Sequence, residues 1–418
     1  MKFLRGIGFL ALSAFLLFIE LGCEDYYRPV ANPIISPGGQ PQASHFAWVV
    51  NYNPTGAGST TEIDVSGDTN LAVNTMGAGS IAEAFPGDSL SLYVANSGND
   101  TVSQYLPTLA GSITTITLLP GSHPVALGSA SNTAMYVVNS GANSACPDKG
   151  SISTILASSL TVSNTTCVGR SPIALVQTPA NNYIYVLNQG DNSVSVFNPA
   201  GPAIAGTITL PNGQQNPVSA TTSRDGKWVF IVTQGDGVQP GALDIVSISK
   251  DPLKVAASVP LGVKPTYSVV DTNLNRLYVV NSGDNTVSVF DTSNVNVSSS
   301  PPIPLLATVT VGTDPIGVTP LPDGSRFYVA NAGSNDVTVV SANSFSPLIT
   351  VPLPAGANPV WIASEPTSTK VYIADKGTSE TTVIQTSDNT VAQNIPAPSQ
   401  ITGCNICALQ QPVMIITQ

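Results

Sequence analysis

Apolar and polar positions along the chain repeat in short blocks. In the stretch from Pro265 to Val311 four blocks follow one another, and each predicts a β-strand. "PTYSVVD" begins at Pro265. "RLYVVN", from Arg276, is almost wholly apolar, as expected of a strand buried on both faces. "NTVSVFD", from Asn285, alternates between Val287, Ser288 and Val289. "LLATVTV", from Leu305, closes the unit. Pro315 then opens the next unit. Proline stands at the same place at Pro124, Pro172, Pro217, Pro265, Pro315, Pro359 and Pro412. A proline at the first residue of a strand loses no ladder hydrogen bond.

Aligning the aromatic residue of the apolar block gives Trp48, Tyr93, Tyr136, Tyr185, Phe230, Tyr278, Tyr328 and Tyr372, with spacings between 43 and 50 residues. Four short strands per period in the forties predict an all-β chain. The fold expected is a β-propeller of four-stranded antiparallel blades. First strands begin near Ser80 and the seven prolines, so both first and second strands number eight. The array nevertheless opens on a second strand, "FAWVVN" at Phe46, and ends on a first strand, "PVMIITQ" at Pro412. Pairing the two in one composite blade closes a ring and removes two open edges, which favours eight blades. Seven follow if 46–80 is not a blade.

The segments "LYVANSGNDTVSQY", "IYVLNQGDNSVSVFN", "LYVVNSGDNTVSVFDTS" and "FYVANAGSNDVTVV" resemble the YVTN family of β-propeller repeat proteins. The resemblance covers nearly all of 46–418. It implies an exported bacterial protein that binds or scaffolds at the cell envelope without catalysis. The same repeats are similar to those of bladed lactonases, which gives a hydrolase at the axial mouth as the alternative.

The beginning of the chain reads differently. Lys2 and Arg5 precede an apolar run, Ile7 to Ile19, which has the length of a signal-peptide core and is short for a membrane span. Gly22-Cys23 resembles a bacterial lipoprotein signal, with Glu20 where an aliphatic residue is usual. The expected organisation is therefore a signal peptide over 1–22, a Pro-rich tether over 23–44 and the propeller over 45–418. Cys23 is expected to carry a lipid, or else to be removed or left unmodified by ordinary cleavage. Export to the periplasm or cell surface, with attachment to a membrane only through that lipid, follows from this reading.

Composition narrows the partners. Charged residues make up 9% and the net charge is −11, with 14 Lys and Arg that form no basic stripe. Nucleic acid is therefore not an expected partner, because phosphate binding needs clustered cations. The expected partner is an envelope protein or glycan, bound by a monomer.

Little in the sequence points to chemistry. The repeated Asn96, Asn139, Asn188, Asn281 and Asn331, with Gly98, Gly141, Gly190, Gly283 and Gly333, read as turn residues: glycine for positive φ, asparagine capping its own turn. The other reading is a ring of amides facing a ligand. If strands alternate, the second-to-third turns and fourth-to-first connections share one face. That face holds the irregular stretches 141–150, 234–244 and 396–411. It is the expected binding face, with His123, Arg170, Asp236, Lys264 and Asp314 on it. Outside the cytosol paired cysteines are expected as disulfides. Cys146 and Cys167 would pin one insertion. Cys404 and Cys407 form C-N-I-C, read as a structural disulfide before a redox pair or half a metal site. With only His45 and His123 available, and no second CxxC, no metal and no cofactor is expected. His123, Arg170 and Asp314 are the residues a hydrolase would have to bring together. Trp48, Trp228 and Trp361 fall on strands and read as blade packing.

Overall fold

The computed structural model describes residues 46–53, 56–85, 91–106, 112–128, 133–178, 183–200, 204–211, 216–236, 238, 240–398 and 410–417. Segments 1–22 and 23–44, Cys23, Cys404 and Cys407 lie outside these residues. The described strands form eight four-stranded antiparallel sheets, each a blade. Blade 1 combines Phe46–Tyr52, Ala57–Asp64 and Thr69–Ala78 with Gln411–Thr417. Blades 2 to 8 follow in chain order over 80–117, 124–167, 172–209, 217–263, 265–310, 315–352 and 359–396.

Each strand's composition fits its distance from the axis. Second strands are buried throughout, as in Leu277–Asn281, and all eight aligned aromatics are at most 6% exposed. Fourth strands form the outer edge and alternate with water. In Leu305–Thr310 only Val309 is buried. The exposed pairs Leu305–Leu306 and Leu348–Ile349 lie on such edges.

First strands begin at the proline, and a β-bulge follows at once. Pro265 pairs with Asn281 and Tyr267 with Val280, so Thr266 is skipped. All eight innermost strands share this irregularity, including Pro412 and Met414 against Asn51 and Val50. The C-terminal strand thus repeats the register of the other seven first strands, and the ring has eight blades.

Seven apolar clusters fill seven of the eight gaps between neighbouring blades. The eighth gap, between blades 1 and 2, is built differently. Trp48 makes edge contacts with Phe85 and Tyr105, at 6.0 and 5.6 Å between ring centroids. Two carboxyls, Glu62 and Glu83, are buried there, at 8% and 2% exposure. Glu83 sits three residues into its first strand, where the other blades carry Leu127, Leu175, Ala220, Ser268, Val318, Ile362 and Ile415.

On its other side blade 1 is fastened to blade 8. Lys370 Nζ donates to Asp68 at 2.7 Å, with both side chains about nine-tenths buried. Tyr372 Oη donates to the same carboxylate at 3.2 Å. Trp361 Nε1 donates to the Ile415 carbonyl at 2.9 Å, and Thr417 Oγ1 to the Ser364 carbonyl at 2.7 Å.

Truncation after Gln410 removes the inner strand of blade 1 and should leave no cooperative unfolding transition in calorimetry. An unchanged Tm would contradict the composite blade.

Candidate functional site

The site is the axial bore and the loop-rich rim around its mouth. The rim rests on a hydrogen-bond set repeated from blade to blade. Six of the eight second strands carry an asparagine at or next to their last residue, and it does not cap its own turn. Its side-chain amide reaches two hydroxyls on the third strand: Asn96 to Thr101 and Ser103, Asn139 to Ser151 and Ser153, Asn188 to Ser193 and Ser195, Asn281 to Thr286 and Ser288. Asn331 uses Asp336 and Thr338, and Asn51 uses Ser59 and Thr61. These asparagines are at most 1% exposed, so they form internal clamps and no amide ring faces solvent. Leaving such buried groups unmade costs roughly 1–3 kcal/mol per site.

The glycine two residues on is also not where a positive φ is needed. The left-handed residues are Asp100, Asn192, Asn285, Asn335 and Ser379, two positions further along. The glycine is there for close approach. A Cβ on Gly141 would lie 2.0 Å from the Gly121 carbonyl oxygen, and one on Gly283 2.7 Å from Val263 Cγ1. The glycine N–H donates into the incoming fourth-to-first connection, as Gly141 does to the Ser122 carbonyl at 2.9 Å and Gly283 to the Val263 carbonyl at 3.0 Å. Turn carboxylates and amides complete the junction. Asp100 accepts from the N–H groups of Gly121 and His123 at 2.7 Å each, and Asn285 Oδ1 from that of Asp314 at 2.8 Å.

His123, Lys264 and Asp314 occupy one repeated position, the residue just before the first-strand proline. All three have φ between 46 and 51°. Arg170 is one residue earlier in its blade. His123 Nδ1 lies 3.0 Å from the Ser97 carbonyl and 3.9 Å from Asp100. Arg170 Nε donates to Asp191 at 2.6 Å, and that contact holds the Asp191 carboxyl below its ordinary range. Asp314 accepts from Ser282 Oγ at 2.5 Å. His123, Arg170 and Asp314 thus each bind within their own junction, and no two share a partner among the described residues. Asp236 accepts from the Val238 N–H at 2.9 Å in an exposed turn.

The expected Cys146–Cys167 disulfide is formed, with a Cα–Cα distance of 5.5 Å. It spans 21 residues of sequence. Loop-closure entropy assigns such a cross-link roughly 3 kcal/mol. Asn143 holds the same loop by accepting from the N–H groups of Ala145 and Cys146 at 3.0 and 3.1 Å.

Below the rim lies a cavity of about 570 Å³, walled by first strands of all eight blades. Two successive residues at the bulge line it in blades 2 to 8, and Met414 alone in blade 1. The upper ones are Ile81, Val125, Ile173, Val218, Ile316 and Val360, with Thr266 in blade 6. The next ring is uneven. Ala82, Ala126, Ala174 and Ser219 line blades 2 to 5; Tyr267, Gly317, Trp361 and Met414 line blades 6, 7, 8 and 1. Trp361 therefore contributes to the bore as well as to blade packing. Sequence reasoning passed over the bore, although reading down the second residue after each proline shows the unevenness. Among the described residues no group of three or more His, Cys, Asp or Glu could hold a metal.

Two blades depart from the clamp: blade 5 carries Thr233, whose hydroxyl donates to the Ala242 carbonyl at 3.2 Å, and blade 8 carries Asp375. Burial and the nearby Glu380 push the Asp375 carboxyl up to about 7, against the hydrogen bond from Thr382. Burial likewise pushes Glu62 up to about 7 and Glu83 well above the carboxylate range.

No protein-family model matches the chain, and no curated protein matches it. Solved structures do. The chain is similar to the dihydro-heme d1 dehydrogenase NirN, with 12% identity over 90% of this chain and 76% of that one and a TM-score of 0.68. It is similar to AztD of Citrobacter koseri, with 12% identity over 89% and 98% and a TM-score of 0.58. It is also similar to the β-propeller domain of Myceliophteria thermophila Cps50, with 11% identity over 71% and 93% and a TM-score of 0.53. At these identities the likeness is one of fold, and that fold is the β-propeller.

The raised carboxyls give stability an unusual pH dependence. Each holds its proton more tightly folded than unfolded. For Glu62 and Asp375 the contribution is therefore complete below the ordinary carboxylate range and is lost as pH rises through about 7, and Glu83 acts in the same direction. Tm should fall between about pH 5 and about pH 8. Asp375→Asn, which restores the clamp, and Glu83→Leu, which matches Leu127 and Leu175, should each raise Tm more at the higher pH. Thermal melts across this range check it; a Tm that is flat or rises would contradict the assignment.

Proposed function

We propose that the chain is an exported YVTN-type propeller, attached to a membrane by a lipid on Cys23, that binds an envelope protein or glycan through its loop-rich face. The observation that carries the reading is the 141–150 insertion. It departs from the repeat, is tied down by the Cys146–Cys167 disulfide, and presents exposed residues such as Ser144 and Asp148. A cross-linked, internally bonded loop loses little entropy when a partner binds it. In other second-to-third turns and fourth-to-first connections, Val238 is 75% exposed and Arg170 and His123 keep most of their side-chain surface in water. The propeller fold shared with the similar structures suits a rigid support for such loops. The hydrolase alternative needs a base and a cation at one point, whereas His123 and Arg170 are each engaged in separate junctions.

The test places a photo-cross-linking residue at Ser144 or Val238, with Ser293, exposed in a third-to-fourth turn, as control. In intact envelopes the first two should give one discrete adduct and Ser293 none. Equal labelling from Ser293, or no adduct from either loop, would overturn the reading. Mass spectrometry of the mature N-terminus should show a lipid-modified Cys23; an unmodified terminus would remove the anchor.

A further inference from the structure

The uneven ring in the bore has no origin in the blade repeat. Any residue small enough to point inward satisfies the blade, and four consecutive blades use alanine or serine there: Ala82, Ala126, Ala174 and Ser219. The opposite side carries the largest side chains. Tyr267 and Trp361 come from blades 6 and 8, on either side of Gly317 of blade 7, and their rings are in edge contact, 5.7 Å between centroids at 70°. Bulk gathered on one side and withdrawn on the other leaves a cavity of about 570 Å³ with an aromatic wall facing a flat wall of small residues. That volume lies within the range of small-molecule sites.

The serine hydroxyls of the bore are already paired. Ser219 Oγ pairs with Ser268 Oγ at 2.8 Å and accepts from the Ser268 N–H at 3.1 Å. The Tyr267 hydroxyl has no hydrogen-bond partner among the described residues. Among the described residues no Lys, Arg or His lines the cavity, and its one carboxyl, Glu83, belongs to a first-strand position that packs toward blade 1. Both carboxyl oxygens are buried without a hydrogen-bond partner, and the backbone N–H meets Met414 Sδ at 3.4 Å. A charged ligand would lose its hydration here with no counter-charge in return, whereas an apolar ring gains buried area and an edge contact to aromatic neighbours.

We infer that the axial bore is a binding site for an uncharged, ring-bearing apolar small molecule, seated between the Tyr267–Trp361 pair and the Ala126–Ala174 wall with the Tyr267 hydroxyl as a polar contact. This site is separate from the partner surface on the loop face and does not depend on it.

The neutral fluorophore N-phenyl-1-naphthylamine serves as the probe with the intact mature protein. Its emission should rise saturably to one molecule per chain, with energy transfer from tryptophan. Ala174→Phe, which fills the cavity, should weaken binding by about tenfold or more while Tm stays near that of the parent. Trp361→Phe should remove most of the transfer although Trp48 and Trp228 remain. Should Ala174→Phe fail to fold, Ala126→Leu takes its place. Absence of saturable binding would overturn the site. So would full-affinity binding to a folded bore-filling variant, because the probe would then sit on the exposed outer strands.

Discussion

The backbone ladder between Phe46–Tyr52 and Gln411–Thr417 is the contact on which the ring depends, because a closed propeller has one seam and this ladder is it. Without it the almost fully buried strand at Phe46 would expose an apolar edge to water, and the bore would lose Met414 from its wall. Trp361 would lose the carbonyl of Ile415 that orients its indole. The aromatic pair in the bore and the eighth gap between blades are thus both consequences of closure. The hydrogen bonds and the buried Lys370–Asp68 pair that tie blade 1 to blade 8 cluster beside the seam. The gap toward blade 2 instead carries Glu62 and Glu83, each of which weakens the ring when ionised.

Away from the seam the blades are held by one device used repeatedly. A buried asparagine amide joins the second strand to two third-strand hydroxyls, and a close-packed glycine passes its N–H to the arriving connection. The result fixes the rim without using rim side chains. That leaves Arg170, His123 and Lys264 at the surface on rigid supports, where binding residues are best placed.

Much of this was legible in the sequence, because it concerned repetition. The prolines marked first strands, the apolar blocks marked buried strands, and the unmatched strands at Phe46 and Pro412 called for each other. The cysteine spacing around the 141–150 insertion anticipated the disulfide that forms. What the sequence concealed depends on distances across the chain. Asn281 looks like a turn residue until the third-strand hydroxyls it reaches are in place. Gly283 looks like a positive-φ residue until the crowding by Val263 is seen. Tyr267 and Trp361 meet only once blades 6 and 8 stand around the same bore. Glu83 was legible in principle, since every other blade carries an uncharged residue at that register, but only after the bulged first strands are aligned.

The central claim is that the C-terminal strand is an integral part of the ring. Native-state amide hydrogen exchange tests it most directly. Chain ends ordinarily fray and exchange early. The account predicts that amides of 413–417 exchange as slowly as those of the second strand of blade 6, Arg276–Asn281, through global unfolding alone. Exchange of 413–417 on the timescale of a fraying terminus, with the remaining blades still protected, would contradict it.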